Sequence, residues 1–114
     1  MKANGGCYCG AVRYEVDGDT IFKGQCHCRE CQYYSGGQPN MVFGVPAAAF
    51  KVTAGKPATY TRSDIETPVT RSFCATCGTS LWSESPNLPG AFLLKAGTLD
   101  NPADFGSPQM AIYM

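Results

Sequence analysis

The sequence predicts a mainly β fold, a small single domain of short antiparallel strands occupying residues 1–114. Three observations lead there. Thirteen glycines and eight prolines interrupt the chain every few residues, which leaves room for strands and little for helices. The runs between them are short and rich in β-branched and aromatic residues, and some alternate apolar with polar side chains. Seven cysteines fall in three tight clusters where those runs meet turns, and such clusters suit small metal sites fed by close backbone segments.

Taken in order, residues 11–16 alternate in the manner of a half-buried strand, Asp17-Gly18-Asp19 turns the chain, and residues 21–25 run into the central cysteines. A hairpin of these two runs is expected. Further strands are predicted at residues 41–45, 50–53, 58–62, 69–73, 80–83 and 92–96. Pro46 followed by three alanines predicts a single helical turn and residues 99–105 another, neither long enough for a stable helix. Residues 109–114 read as a last strand. Phe43, Phe73, Trp82 and Phe92 fall within the predicted strands and are assigned to the core.

Charge and composition exclude several functions. Nine Lys plus Arg balance nine Asp plus Glu, and Arg13, Lys51 and Arg71 are scattered rather than clustered, so a nucleic-acid-binding zinc ribbon is disfavoured. The longest apolar stretches, residues 41–45 and 91–94, fall far short of the roughly 20 residues that span a bilayer. No apolar run opens the chain, so a soluble, cytoplasmic protein is expected. In that reducing compartment, and with an odd count, the cysteines read as metal ligands rather than disulfides, a redox dithiol at Cys74 and Cys77 being the lesser alternative.

Seven divides into four and three. A closed structural zinc takes four thiolates, whereas a catalytic one takes three protein ligands and keeps a position for substrate. Residues two apart on a strand share a side, so Cys7 pairs with Cys9 and Cys26 with Cys28, while His27 points away. The Cys74-Ala75-Thr76-Cys77-Gly78 loop resembles a zinc knuckle with Gly78 free to take positive φ. The economical partition gives Cys7, Cys9, Cys74 and Cys77 a structural zinc and leaves Cys26, Cys28 and Cys31 a second ion. The competing expectation is that His27, Glu30 or a distant group closes that second site. Three thiolates on a divalent ion carry net charge −1, a weak Lewis acid but a soft site for a substrate thiol, which implies carbon–sulfur bond chemistry.

Three segments also carry a family resemblance: Gly5-Gly6-Cys7-Tyr8-Cys9-Gly10-Ala11-Val12-Arg13-Tyr14, Cys26-His27-Cys28-Arg29-Glu30-Cys31 and Phe73-Cys74-Ala75-Thr76-Cys77-Gly78, with Leu81-Trp82 following. Together they resemble the glutathione-dependent formaldehyde-activating enzymes, a family that includes centromere protein V and has a zinc-bearing β-tent fold. The resemblance implies two zinc ions, structural at Cys7, Cys9, Cys74 and Cys77 and catalytic at Cys26, Cys28 and Cys31. It implies a carbon–sulfur lyase-like enzyme, an S-(hydroxymethyl)glutathione synthase, in which glutathione adds to formaldehyde near the second ion. Residues 32–37 are then the expected pocket wall, flexible at the glycines, with Tyr34 and Ser35 lining it and Arg29 meeting a carboxylate of the tripeptide. His27 and Glu30 are the nearest candidates for a general base. Relatives commonly place a histidine where Ala111 stands and run on further, so the family's C-terminal tail is expected to be missing. The alternative function is a noncatalytic zinc-stabilised binding module.

Overall fold

The computed structural model describes residues 1–37 and 39–112. Among the described residues, ten strands build two sheets. The small sheet contains β1 (Lys2–Gly6), β2 (Arg13–Asp17) and β5 (Phe50–Ala54) in the order β1-β2-β5. The large sheet contains β3 (Phe22–Cys26), β4 (Asn40–Pro46), β6 (Ala58–Thr61), β7 (Thr70–Phe73), β8 (Ser80–Glu84), β9 (Ala91–Lys95) and β10 (Met110–Ile112). Its order is β10-β3-β4-β9-β8-β7-β6. All pairings are antiparallel except β10 on β3, which is parallel. Of the expected last strand, Tyr113 and Met114 lie outside the described residues.

The mainly β expectation holds and each predicted run from 11–16 to 92–96 contains a strand, but their pairing corrects one expectation. The runs before and after Asp17-Gly18-Asp19 do not form a hairpin: β2 pairs with β1 and β5, whereas β3 pairs with β4 and β10 in the other sheet. The competing partner is the N-terminal segment. The Met1 amino group donates to the Gly18 carbonyl at 2.7 Å and the Gly18 N–H returns to the Met1 carbonyl at 2.9 Å, which extends the β1–β2 ladder through the presumed turn. The two anticipated helical turns occur, as 3-10 turns at Ala47–Ala49 and Pro102–Asp104.

A second correction is α1 (Arg29–Ser35), a seven-residue α-helix where no helix was expected and which overlaps the expected pocket wall of residues 32–37. Its N-cap is Cys28, whose Sγ accepts from the Cys31 N–H, the task usually done by a Ser, Thr, Asp or Asn oxygen. It ends at Gly36, whose φ of 80° supplies the left-handed cap.

The inner face of the large sheet packs on the small one. Cross-strand register puts Phe43 opposite Leu94 and Leu94 opposite Trp82. All three are buried with Tyr14, Val16 and Val45, and the Trp82 ring stands edge-on to Tyr14 and Phe50 at 6.1 and 4.9 Å. Phe92 packs on this cluster as expected, whereas Phe73 is only half-buried.

Gly5 shows why the Gly5-Gly6 pair belongs to this packing. It lies opposite Tyr14 in the β1–β2 register, and Tyr14 Oη shares a 2.7 Å hydrogen bond with Thr98 Oγ1. A Cβ on Gly5 would collide with the Tyr14 hydroxyl and come within 2.5 Å of the Thr98 carbonyl oxygen. Gly5→Ala is therefore expected to cost about 1–3 kcal/mol, the usual range for an overpacked core. Urea denaturation measures this, and an unchanged midpoint would contradict the packing account.

Candidate metal centres

The first group of sulfurs forms where the turn after β1 meets the turn between β7 and β8. The two turns are built alike. In one, the Gly10 N–H donates to the Cys7 carbonyl at 3.1 Å and the Val12 N–H to Cys7 Sγ at 3.2 Å. In the other, the Gly78 N–H donates to the Cys74 carbonyl at 2.8 Å and the Cys77 N–H to Cys74 Sγ at 3.5 Å. Gly10 and Gly78 have φ of 82° and 78°, conformations that L side chains rarely adopt, as the sequence implied for Gly78. Thr79 links the turns, its hydroxyl accepting from the Tyr8 N–H and touching Cys77 Sγ, both at 3.1 Å. That hydroxyl, with the Thr79 backbone next, holds the Cys77 thiol down at about 5, which favours a thiolate.

The four sulfurs of Cys7, Cys9, Cys74 and Cys77 lie within 4.8 Å of one another. Cys9 Sγ stands 3.6 Å from that of Cys7 and 3.7 Å from that of Cys74. Tetrahedral zinc with bonds of about 2.3 Å requires sulfur separations of roughly 3.8 Å, so the donor set fits the ion.

Cys26, Cys28 and Cys31 form the second group, their sulfurs also within 4.8 Å of one another. Cys26 ends β3, Cys28 caps α1 and Cys31 lies one turn along it. Burial pushes the Cys28 thiol up, but the N–H of Cys31 together with the Cys31 and Cys26 thiols outweighs it, leaving Cys28 below its ordinary value. Cys26 is pushed up to about 12 by burial, which the Cys28 N–H opposes and the Cys31 and Cys28 thiols reinforce. Among the described residues no fourth His, Cys, Asp or Glu joins the group. His27 Nε2 lies 3.2 Å from Gln25 Oε1, and Glu30 pairs with Arg71 at 3.4 Å. Three soft donors, with N–H groups aimed at their sulfurs, fit a zinc ion that keeps one position open.

Strand register determines what surrounds this second centre. Directly opposed residues share a face, so Cys26 and Asn40 lie together, as do Val42 and Lys95, and as do Tyr60, Arg71 and Ser83. Period two within β4 and β9, with Leu93 opposite Ser83, joins all of them on the outer face of the large sheet, opposite the core. α1 lies over this face. Asn40, buried, donates from Nδ2 to Cys31 Sγ at 3.5 Å and accepts from Lys95 Nζ at 2.8 Å. Arg71 stacks on the Tyr34 ring at 4.0 Å.

Between α1 and strands β6 to β9 lies a cavity of about 530 Å³ with Tyr34, Tyr60, Arg71, Ser83 and Lys95 in its wall. An adjoining one of about 390 Å³ is walled in part by Tyr34, Ser35, Lys95, Asn40, which bonds Cys31 Sγ, and Thr79, which bonds Cys77 Sγ. Tyr34 and Ser35 thus stand at the cavities, although on a helix rather than a flexible loop. Arg29 lines neither cavity; it lies over the Tyr33 ring at 4.4 Å and donates to Gln32 Oε1 at 3.2 Å. The cations in the cavity walls are Arg71 and Lys95. Lys95 closes an apolar run that reads as core, and only its pairing with Val42 turns it toward the site.

Burial pulls the Lys95 ammonium down to about 8, with Arg71 adding to this and Cys31, Cys26 and Cys28 opposing it. An unfolded lysine keeps its proton to about 10.4. Between those values the folded chain binds fewer protons than the unfolded one, so this group's contribution to stability rises with pH there and is least favourable below 8. The gap in denaturation midpoint between wild type and Lys95→Gln should move toward the wild type from about pH 7.5 to 9.5. An unchanged gap contradicts the assignment.

A family model described as glutathione-dependent formaldehyde-activating enzyme matches residues 2–114. The chain belongs to that family. Among relatives, a Halomonas elongata protein named "Putative glutathione-dependent formaldehyde-activating enzyme" is 28% identical over 119 aligned residues, spanning 100% of this chain and 74% of that one. A crystal structure of a Rhodobacter sphaeroides protein superposes with TM-score 0.73 at 22% identity, covering 95% of this chain and 98% of the other, and shares the fold. The match to the glutathione-dependent formaldehyde-activating family spans all three cysteine clusters. No described helix is long and apolar enough to cross a membrane.

Proposed function

We propose that this chain is a zinc-dependent carbon–sulfur lyase-like enzyme that activates glutathione toward formaldehyde or a related aldehyde. The observation that carries the reading is the group of Cys26, Cys28 and Cys31, with no fourth ligand among the described residues, beside cavities walled by Tyr34, Asn40 and Lys95. Zinc held there would supply a soft fourth position at which a thiol loses its proton.

The remaining work falls to the chain. Cys28 and Cys31 receive N–H donors from Cys31 and Asn40, which favour their thiolate forms as ligands. The cavities receive the body of the thiol, and Lys95, through the Asn40 amide, offsets negative charge gathered at the three sulfurs. The thiol sulfur then bonds to the aldehyde carbon. The carbonyl π pair moves to oxygen, and that oxygen takes up the equivalent of the thiol proton, so the product is a hydroxymethyl thioether. Cys7, Cys9, Cys74 and Cys77 are assigned the structural zinc of a single domain spanning 1–114. The seven cysteines are all free, which agrees with a cytoplasmic site of action.

Exchange of carbon-13 label between formaldehyde hydrate and the glutathione adduct, followed by NMR with zinc-loaded protein, tests the proposal. Wild type should raise the exchange rate above that of buffer, and Cys28→Ser should return it to the buffer value. Equal rates with and without wild type contradict the enzyme and leave the noncatalytic zinc-stabilised binding module.

A further inference from the structure

We infer that Arg71 and Lys95 are the specificity-determining pair of this site, reading carboxylate groups on the thiol and so selecting acidic thiols over neutral ones. The inference deepens the proposed function and takes from it that a thiol occupies the cavity.

Four observations carry it. The wall of the larger cavity contains both Arg71 and Lys95, that of the smaller contains Lys95, and neither contains, among the described residues, an acidic side chain. The two cations flank one ring: Arg71 Cζ is 4.0 Å and Lys95 Nζ 6.0 Å from the Tyr34 centroid, so they stand no more than 10 Å apart. Like charges this close are repulsive, and burying them adds desolvation, a combination that an anionic ligand relieves. Finally, each cation is oriented by a neighbour that does not use up its donors. Arg71, with its side chain only 14% exposed, lies over the Tyr34 ring and touches Glu30 at 3.4 Å through one nitrogen. A guanidinium has five N–H donors in a planar fork that suits two carboxylate oxygens. The Lys95 ammonium has three, one of which goes to Asn40 at 2.8 Å.

The arrangement also sets an order along the substrate. Asn40 touches both Lys95 and Cys31, so Lys95 stands nearer the three sulfurs. Arg71, which also lines a third hollow of about 270 Å³ with Glu30, Tyr60, Arg62 and Val69, stands toward the outer end. A thiol directed at the sulfurs would present one carboxylate to Lys95 and a more distant one to Arg71.

The test uses zinc-loaded protein and calorimetric titration with S-methylglutathione, glutathione and glutathione diethyl ester, repeated on the cobalt-loaded protein to read thiol coordination. Charge-assisted contacts predict that wild type binds S-methylglutathione and glutathione about tenfold or more tighter than the diester. Arg71→Gln should abolish most of that preference by weakening glutathione and S-methylglutathione far more than the diester, and Arg71→Lys should restore part of it. Equal affinity of wild type for glutathione and its diester, or an equal loss for both in Arg71→Gln, overturns the inference, as does failure of all three to bind. The proposed function fails separately: a charge-dependent preference for S-methylglutathione with no cobalt response to glutathione keeps the carboxylate-reading pair and removes thiol activation. A cobalt response to glutathione and diester at equal affinity does the reverse.

Discussion

Cys74→Ser should unfold the domain. Its sulfur is buried at the meeting of the two turns, 3.7 Å from Cys9 Sγ, and Cys74 belongs to the same cluster of buried residues as Tyr14 and Trp82. Without this thiolate the closed site keeps three donors, and the turn after β1 loses its tie to the hairpin of β7 and β8. Structural zinc contributes on the order of 10–16 kcal/mol in small peptides, whereas whole domains are stable by about 5–15 kcal/mol, so loss of the site outweighs the rest of the fold. Far-UV circular dichroism and zinc content measured on the same sample check this. A cooperative melt near the wild-type temperature would show that the four-cysteine group does not hold the fold.

Cys28→Ser should behave differently: one equivalent of zinc lost, no acceleration of adduct formation, and a domain that still melts cooperatively. Cys28 lies on the outer face of the large sheet, where its group joins the end of β3 to the short helix α1 rather than tying one sheet to the other. A hydroxyl can also replace the thiol as the N-cap of α1, since serine is among the preferred capping residues. The expected thermodynamic loss is small beside that of Cys74→Ser. Unfolding of both variants to the same extent would remove the division into a structural and a chemical centre.

The contrast between these two residues follows from topology, which the sequence carried unevenly. Alternation in Tyr14 and Val16 identified β2, and the apolar run around Phe43 identified β4, because each strand's own side chains report its burial. Pairing is different, since it is decided by segments far apart in the chain. β1 contains two glycines and an asparagine and has weak strand propensity. It pairs with β2 because Gly5 admits the Tyr14 ring and because the adjoining Cys7 is engaged by the Val12 backbone. That tertiary arrangement overrides the local Asp17-Gly18-Asp19 turn signal.

The helix α1 went unseen for a chemical reason. Its start is capped by a cysteine sulfur, outside the usual set of capping residues, and its end by Gly36, whose ambiguous signal read as loop flexibility. The two groups of cysteines that could hold a metal were legible because C-x-C and C-x-x-C spacing brings donors together within a few residues. Arg71 and Lys95 were not, since nothing near either in sequence carries a ligand signature. Only the ladder from β6 through β9 and the helix over it place both beside Tyr34.

The central claim is that the Cys26, Cys28 and Cys31 centre keeps a coordination position open to a thiol. Glutathione titration of protein loaded with two cobalt ions, followed in the thiolate-to-metal charge-transfer and ligand-field bands, tests it most directly. The account predicts a saturable spectral change that disappears in Cys28→Ser. A flat titration with both cobalt ions bound would contradict it, showing two centres closed to the thiol.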